Sequence, residues 1–237
     1  MGAPWQPPPV AAELTLPASV ETCQKYPCII FIGGSGPIDK DSTIGALKPF
    51  KDIALGLANR GIASCRFDKF AFTIAGRFLT RNTTTTLTDE YVYHARHTIR
   101  KVSQHPNIDH DRIFLLGHSL GGLIAARLAV AEPGPSVAGC VLMACPAQPI
   151  YRCAIRQLRY FKSLDESDGL PSGDEPSNIN MIETLKKQAE LADGPTMTPS
   201  TPASQLPRSE CPVLVLQGAR DYQVTVNEDC AAFYAKF

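Results

Sequence analysis

The chain has 237 residues, 44% of them apolar and 19% charged, with 23 basic and 23 acidic side chains and a formal net charge of zero. That composition describes a globular chain long enough to bury a substantial core, and it excludes an intrinsically disordered one. The charge balance gives no reason to expect capture of nucleic acid or an anionic membrane, and no apolar run approaches the roughly 18 residues of a membrane span.

Residues 1–13 read as a disordered Pro-rich lead-in, and residues 14–237 as one domain. The lead-in lacks the apolar centre of a signal peptide. Gln6 stands where a myristoylation signal at Gly2 requires Ser or Thr. "LTLPA" (14–18) reads as an edge strand, and "CIIFIGGSG" (28–36) as a buried strand with a glycine-rich exit. In 47–61, Phe50, Ile53, Ala54 and Leu57 recur at helical spacing, with Gly61 as the stop. "IASCRFD" (62–68) is a second buried strand. Residues 86–106 carry Val92, Ala95, Ile99 and Val102 on one helical face, which places His94 and His97 on the polar side.

"RIFLLG" (112–117) is a third strand, 121–132 its following helix, and "GCVLMACPA" (139–147) a fourth strand. Strands alternating with helices predict an α/β fold built on a mostly parallel sheet. Residues 147–207 turn polar, with clustered Pro, Ser and Asp and one helical stretch at 181–191, and read as an insertion. "CPVLVLQGARD" (211–221) resumes the sheet, and 227–237 is a last helix.

The eight cysteines tempt a disulfide reading. Without an export signal they are better read as free thiols in a reducing, cytoplasmic compartment. No spacing of Cys and His suits zinc, and no metal or cofactor is expected.

"LLGHSLGG" carries the chemistry. Gly117-His118-Ser119-Leu120-Gly121 fits the sharp strand-to-helix turn that exposes a nucleophilic serine. The glycines have a physical reason: a Cβ at either would collide with strand or helix. The five-residue pattern alone is weak, but the apolar strand before it and the small-residue helix after it strengthen it. The plain alternative is a turn without chemistry.

Glycines 33, 34 and 36 leave the first core strand, where backbone N–H groups can approach a ligand. No phosphate-loop spacing fits. The other readings are a tight turn or an oxyanion hole built from the N–H groups of Ser35 and Leu120. Asp221 follows the strand at 212–217. Ser35, Ser119 and Asp221 thus each follow the C-terminal end of a proposed parallel strand, the edge where open α/β sheets bind ligands. Asp68 also ends a strand but precedes the serine, and the order serine, acid, histidine favours Asp221. Asp68 reads as a carboxylate that orders a loop.

The stretches "IIFIGGSGPIDKDSTIGALKPFKDIALGLANRGIASCRFDKF", "TLTDEYVYHARHTIRKV" through "IDHDRIFLLGHSLGG", and "PVLVLQGARDYQVT" resemble the α/β-hydrolase superfamily. The likeness is to its serine aminopeptidase and esterase-like branch. The resemblance implies an eight-stranded, mostly parallel sheet with helices on both faces, a lid in the insertion at about 147–207, and hydrolysis of carboxylic esters of small or acyl-chain substrates through an acyl-enzyme. It carries Ser119 over as nucleophile, Asp221 as triad acid, Ser35 and Leu120 as oxyanion donors, and Gly117 and Gly121 as elbow glycines. The sequence departs from the pattern in "DKFAF" (68–72), where the family continues Asp-Lys-Arg-Gly.

The family's histidine lies on a loop after one further strand, and only 16 residues follow Asp221. The last strand and that loop are therefore expected to be missing. Of the five histidines, His94 and His97 read as solvated. His105 and His110 lie at the far end of the serine's strand, roughly 20 Å or more away. The side chain of His118 is expected to point away from its neighbour. The expectations are then a serine hydrolase by descent without its own base, or a non-catalytic binding protein or fragment. A peptidase or thioesterase of the same fold is the remaining alternative, with a small-molecule ester or peptide as partner. An uncovered strand at 212–217 is expected to favour association.

Overall fold

The computed structural model describes residues 8–18, 24–73, 86–130, 137–148 and 211–235, with helical residues inside 152–163. The start of the lead-in, Cys23, the stretch 181–191 and most of the insertion read at 147–207 lie outside the described residues.

In chain order the elements are β1 (Ala12–Thr15), β2 (Tyr26–Ile32), α1 (Pro49–Ala58), β3 (Ala63–Phe67), α2 (Tyr93–Ser103), β4 (Ile108–His118), α3 (Leu120–Ala129), β5 (Gly139–Met143), β6 (Val213–Leu216) and α4 (Ala231–Tyr234). A 3-10 turn at Phe70–Phe72 follows β3, and π-helical turns at Thr88–Val92 and Val226–Cys230 lead into α2 and α4. Ala12 and Glu13, read from sequence as lead-in, are the first two residues of β1. β4 starts four residues before the predicted Arg112.

Among the described residues six strands form one sheet, in the order β1-β3-β2-β4-β5-β6. β1 pairs antiparallel to β3, and every other pair is parallel. This is the mixed, mostly parallel sheet expected, two strands short of the eight that the resemblance implies.

The buried strands still alternate, because each face meets a different helix layer. Cys28, Ile30 and Ile32 of β2 share a core with Ile113 and Leu115 of β4, Ala95 and Ile99 of α2, and Ile124 and Ala125 of α3. Phe31 and Leu116 point the other way, onto Phe50 of α1. The rings of Phe31 and Phe50 lie 5.0 Å apart at 51°. Burying each such side chain contributes about 1.5–3 kcal/mol, so the sheet is held from both faces.

A buried cation ties down the edge. Arg66 in β3 is 1% exposed and pairs with Asp41 in the loop after β2 and with Glu13 of β1. Asp68 accepts a hydrogen bond from the Lys40 N–H at 2.7 Å. It orders that same loop, as the sequence suggested.

The connection from β2 runs to β3 on one side, and the chain returns to β4 on the other. The strand order therefore reverses between β2 and β4, the position at whose C-terminal edge open α/β sheets bind ligands. Residues 33–36, Ser119 and Asp221 all follow strands that end at this edge.

Candidate active site

Ser119 sits between β4 and α3 with φ 53° and ψ −122°. A non-glycine residue in this region stores on the order of 1–3 kcal/mol of strain. Its surroundings impose it. The Ser119 N–H donates to Met143 O at 2.9 Å, and the Gly122 N–H donates to Ser119 O at 2.8 Å.

The glycines are required by backbone crowding. A Cβ on Gly117 would lie 2.2 Å from Gly121 O, and one on Gly121 would lie 2.2 Å from Ile32 O and 2.6 Å from Gly33 O. A Cβ on Gly122 would meet Cys145 Sγ at 2.6 Å. The turn therefore wedges the start of α3 directly against the ends of β2 and β5.

Gly34 is buried against this turn. A Cβ there would stand 3.2 Å from His118 Nδ1 and 3.4 Å from Ser119 Cβ. Ser35 follows at the exposed rim. Leu120 is the first residue of α3, so its N–H is one of the donors that a helix start leaves without an internal partner.

Asp221 lies in the loop after β6, half-buried. One carboxylate oxygen accepts the N–H groups of Gln223 at 2.9 Å and Val224 at 3.0 Å. The other accepts from Gln217 Nε2 at 3.1 Å. The charge of Asp221 acts on His118, raising its pKa, while burial of the imidazole lowers it and prevails. His118 Nδ1 is buried without a hydrogen-bond partner, and its ring meets Phe50 edge-on, with centroids 6.4 Å apart.

Asp229 braces the same side. It is fully buried, and it accepts from the Ala147 N–H at 2.9 Å, the Thr225 N–H at 3.0 Å and the Arg156 guanidinium at 2.6 Å. Arg156 also donates to Gln223 O at 2.7 Å, beside Asp221.

The other histidines stand elsewhere. His97 and His110 are exposed, and His110 is eight residues before the end of β4. His94 corrects the sequence reading. It is 3% exposed, stacked on Phe70 with centroids 5.8 Å apart, and burial lowers its pKa to about 4. The turn at Phe70–Phe72 covers the side of α2 that looked solvated. His94 also lines a cavity of about 400 Å³, with Val10, Cys65, Tyr93 and Val102, that none of the expected site residues touches.

Sequence reasoning also missed Lys69. It registered only as the last residue to agree with the family pattern before the departure at Phe70, yet it is 2% exposed and bonded to the loop after β2. Seven cysteines among the described residues carry free thiols. No helix among the described residues is long and apolar enough to cross a membrane.

The strand order and the strained serine turn define an α/β-hydrolase fold. A profile described as "Serine aminopeptidase, S33" matches residues 46–164, which include Ser119, and the chain belongs to that family. It is 33% identical over 213 residues to esterase EstD of Thermotoga maritima, an alignment covering 86% of this chain and 48% of that protein. The chain thus spans about half the length of the curated relative it matches.

Among solved structures, an acylaminoacyl peptidase in complex with Z-Gly-Gly-Phe-chloromethyl ketone superposes with a TM-score of 0.57 at 16% identity, covering 96% of this chain and 32% of that one. The butyrate-bound esterase Est2 of Thermogutta terrifontis gives a TM-score of 0.57 at 17% identity, covering 96% and 74%. At such identities the likeness is one of fold.

Proposed function

We propose that this chain carries a serine-hydrolase site whose nucleophile is Ser119, with an acyl-enzyme as intermediate and carboxylic esters as the substrate class. The observation that carries this reading is the strained turn at Ser119, enforced by three glycines at the edge of the sheet. A protein that did not need an exposed hydroxyl there would relax the backbone. Ser35 and Leu120 supply the N–H groups for the oxyanion, and Asp221 is the carboxylate that orients an imidazole. Esters are favoured over peptides by the 33% identity to a protein named an esterase. The free, mostly buried thiols support a cytoplasmic setting.

The hydroxyl proton of Ser119 has to pass to a base. The hydrogen bonds of the Asp221 carboxylate go to Gln217, Gln223 and Val224, so none of them holds an imidazole. That observation favours a second reading, a non-catalytic member that keeps this edge of the sheet as a binding site.

Labelling with a fluorophosphonate separates the two. The wild-type chain is expected to be modified at Ser119 and the Ser119→Ala variant to stay unmodified, as read by intact mass. An unlabelled wild type would leave the binding reading. A panel of p-nitrophenyl esters and aminoacyl anilides then decides between ester and peptide substrates.

A further inference from the structure

We propose that Lys69, acting with Tyr91, is a positioning residue that turns the N–H of Ser35 toward the serine turn and so builds one half of the oxyanion hole. The proposal rests on the reading of Ser35 as an oxyanion donor.

Lys69 lies two residues beyond β3 and is almost wholly buried. Its ammonium donates to Gly34 O at 2.9 Å and Gly36 O at 2.6 Å, and pairs with the Glu90 carboxylate at 2.8 Å. It also bonds the Tyr91 hydroxyl and stands 4.2 Å above the centre of that ring. The Tyr91 hydroxyl donates in turn to Gly34 O at 2.8 Å. One carbonyl thus receives two donors, and a second carbonyl two residues later receives a third contact.

Burying an ammonium is costly unless it is paired and hydrogen-bonded. Burial lowers the pKa of Lys69, and the Glu90 carboxylate opposes that shift. Of everything this cation bonds, two acceptors are backbone carbonyls in the loop whose Gly34 packs on the serine turn.

The consequence follows from peptide geometry. In a planar trans peptide the C=O of one residue and the N–H of the next point in opposite directions. Fixing Gly34 C=O therefore fixes Ser35 N–H. The strand order places β3, from which Lys69 arrives, and β4, which ends at Ser119, on opposite sides of β2. With Gly34 C=O drawn to the β3 side, Ser35 N–H faces the β4 side. There Gly34 already packs on Ser119 and His118.

The loop needs such a clamp. Glycines 33, 34 and 36 give it wide conformational freedom, and Gly36 itself sits at φ +86°. Without the two donors, the peptide between Gly34 and Ser35 would be free to turn over, presenting a carbonyl oxygen where the oxyanion needs a proton.

Removing one oxyanion donor typically costs a factor of roughly 10²–10³ in rate. The test uses the full chain and two variants, Lys69→Met and Tyr91→Phe. The Tyr91→Phe variant removes only a hydroxyl, so it remains informative should Lys69→Met fail to fold. Two readouts are taken on variants shown to be folded by thermal melts. One is the orientation of the 34–35 peptide in crystal structures. The other is the rate of Ser119 modification by a fluorophosphonate, split into the reagent's prior binding and its bond-forming step.

Lys69→Met is expected to turn or disorder the 34–35 peptide and to slow the bond-forming step by about 10²-fold with prior binding unchanged. Tyr91→Phe is expected to slow it by about tenfold or less, as for a clamp that keeps its lysine. A peptide that keeps its orientation in the folded variants overturns the proposal. A turned peptide with undiminished labelling leaves Lys69 as the clamp and removes Ser35 as a donor. If the wild type shows no Ser119 labelling, the hydrolase reading falls, and the crystal structures alone still decide whether Lys69 sets the peptide.

Discussion

At the end of β4 the chain is fixed by crowding, and at the end of β6 it is fixed by polar bonds. The serine turn is held because glycine backbones leave no room for any other path. The Asp221 loop is held because its carboxylate finds donors, the Gln217 carboxamide finds acceptors, and Asp229 and Arg156 pair with each other. β2 and β4 run through the packed interior, whereas β6 alternates between half-buried and exposed residues, with Leu214 54% and Leu216 43% exposed. Crowding is local and unforgiving of added volume. A polar scaffold is spread over residues distant in sequence, and it fails when a single partner is left unpaired.

The sharpest way to probe this contrast is to add one side chain at the crowded end. Gly121→Val would drive a Cβ into the carbonyls of Ile32 and Gly33. It is expected to abolish cooperative folding or to cost more than about 4 kcal/mol, read from thermal melts. At the polar end, Asp229→Ala removes the acceptor of two backbone N–H groups, those of Ala147 and Thr225, and leaves Arg156 with Glu228 as its remaining carboxylate partner. A loss of about 3 kcal/mol in urea denaturation is expected from those unpaired donors.

The packed half has its own polar weak point in His94, whose buried Nε2 has no partner. Its pKa falls from 6.5 to about 4 on folding. The unfolded chain therefore takes up a proton that the folded chain refuses, and stability is lost as pH falls from about 6.5 to about 4. The melting temperature should drop by several degrees across that window, and His94→Leu should flatten the drop. No change in slope on that substitution would show that the ring is solvated.

Relieving strain should act in the opposite direction. Ser119→Gly is expected to raise stability by about 1 kcal/mol while removing the hydroxyl, since glycine accepts the positive φ. A less stable variant would mean that the turn is not strained. The smallest effect belongs to β6, the last strand of the sheet among the described residues. Leu214→Lys should change stability by less than about 0.5 kcal/mol and reduce self-association in sedimentation velocity.

Legibility in the sequence followed the same division. The Ser119 turn was readable because crowding demands glycines at fixed offsets, and the strands because apolar runs end where loops begin. Asp221 could be placed by counting from the end of β6. The role of Lys69 was not readable, since it depends on Glu90 and Tyr91 about twenty residues later and on carbonyls more than thirty residues earlier. His94 was misread for a similar reason. Helical periodicity marks the stripe facing the sheet, but the stripe widens where Phe70 covers it, and the 3-10 turn that carries Phe70 leaves no periodic trace.

The contact between Gly122 and Cys145 gives the molecule a built-in clock. The thiol is 2% exposed, its pKa is raised by burial, and it lies where a Cβ on Gly122 would have to go. Alkylating agents need the thiolate and room around the sulfur, and the folded state offers neither. Each alkylation of Cys145 therefore records one excursion in which α3 lifts from the end of β5. Followed over time under native conditions, its rate reports how readily the contact between α3 and the end of β5 opens, by local or by global unfolding.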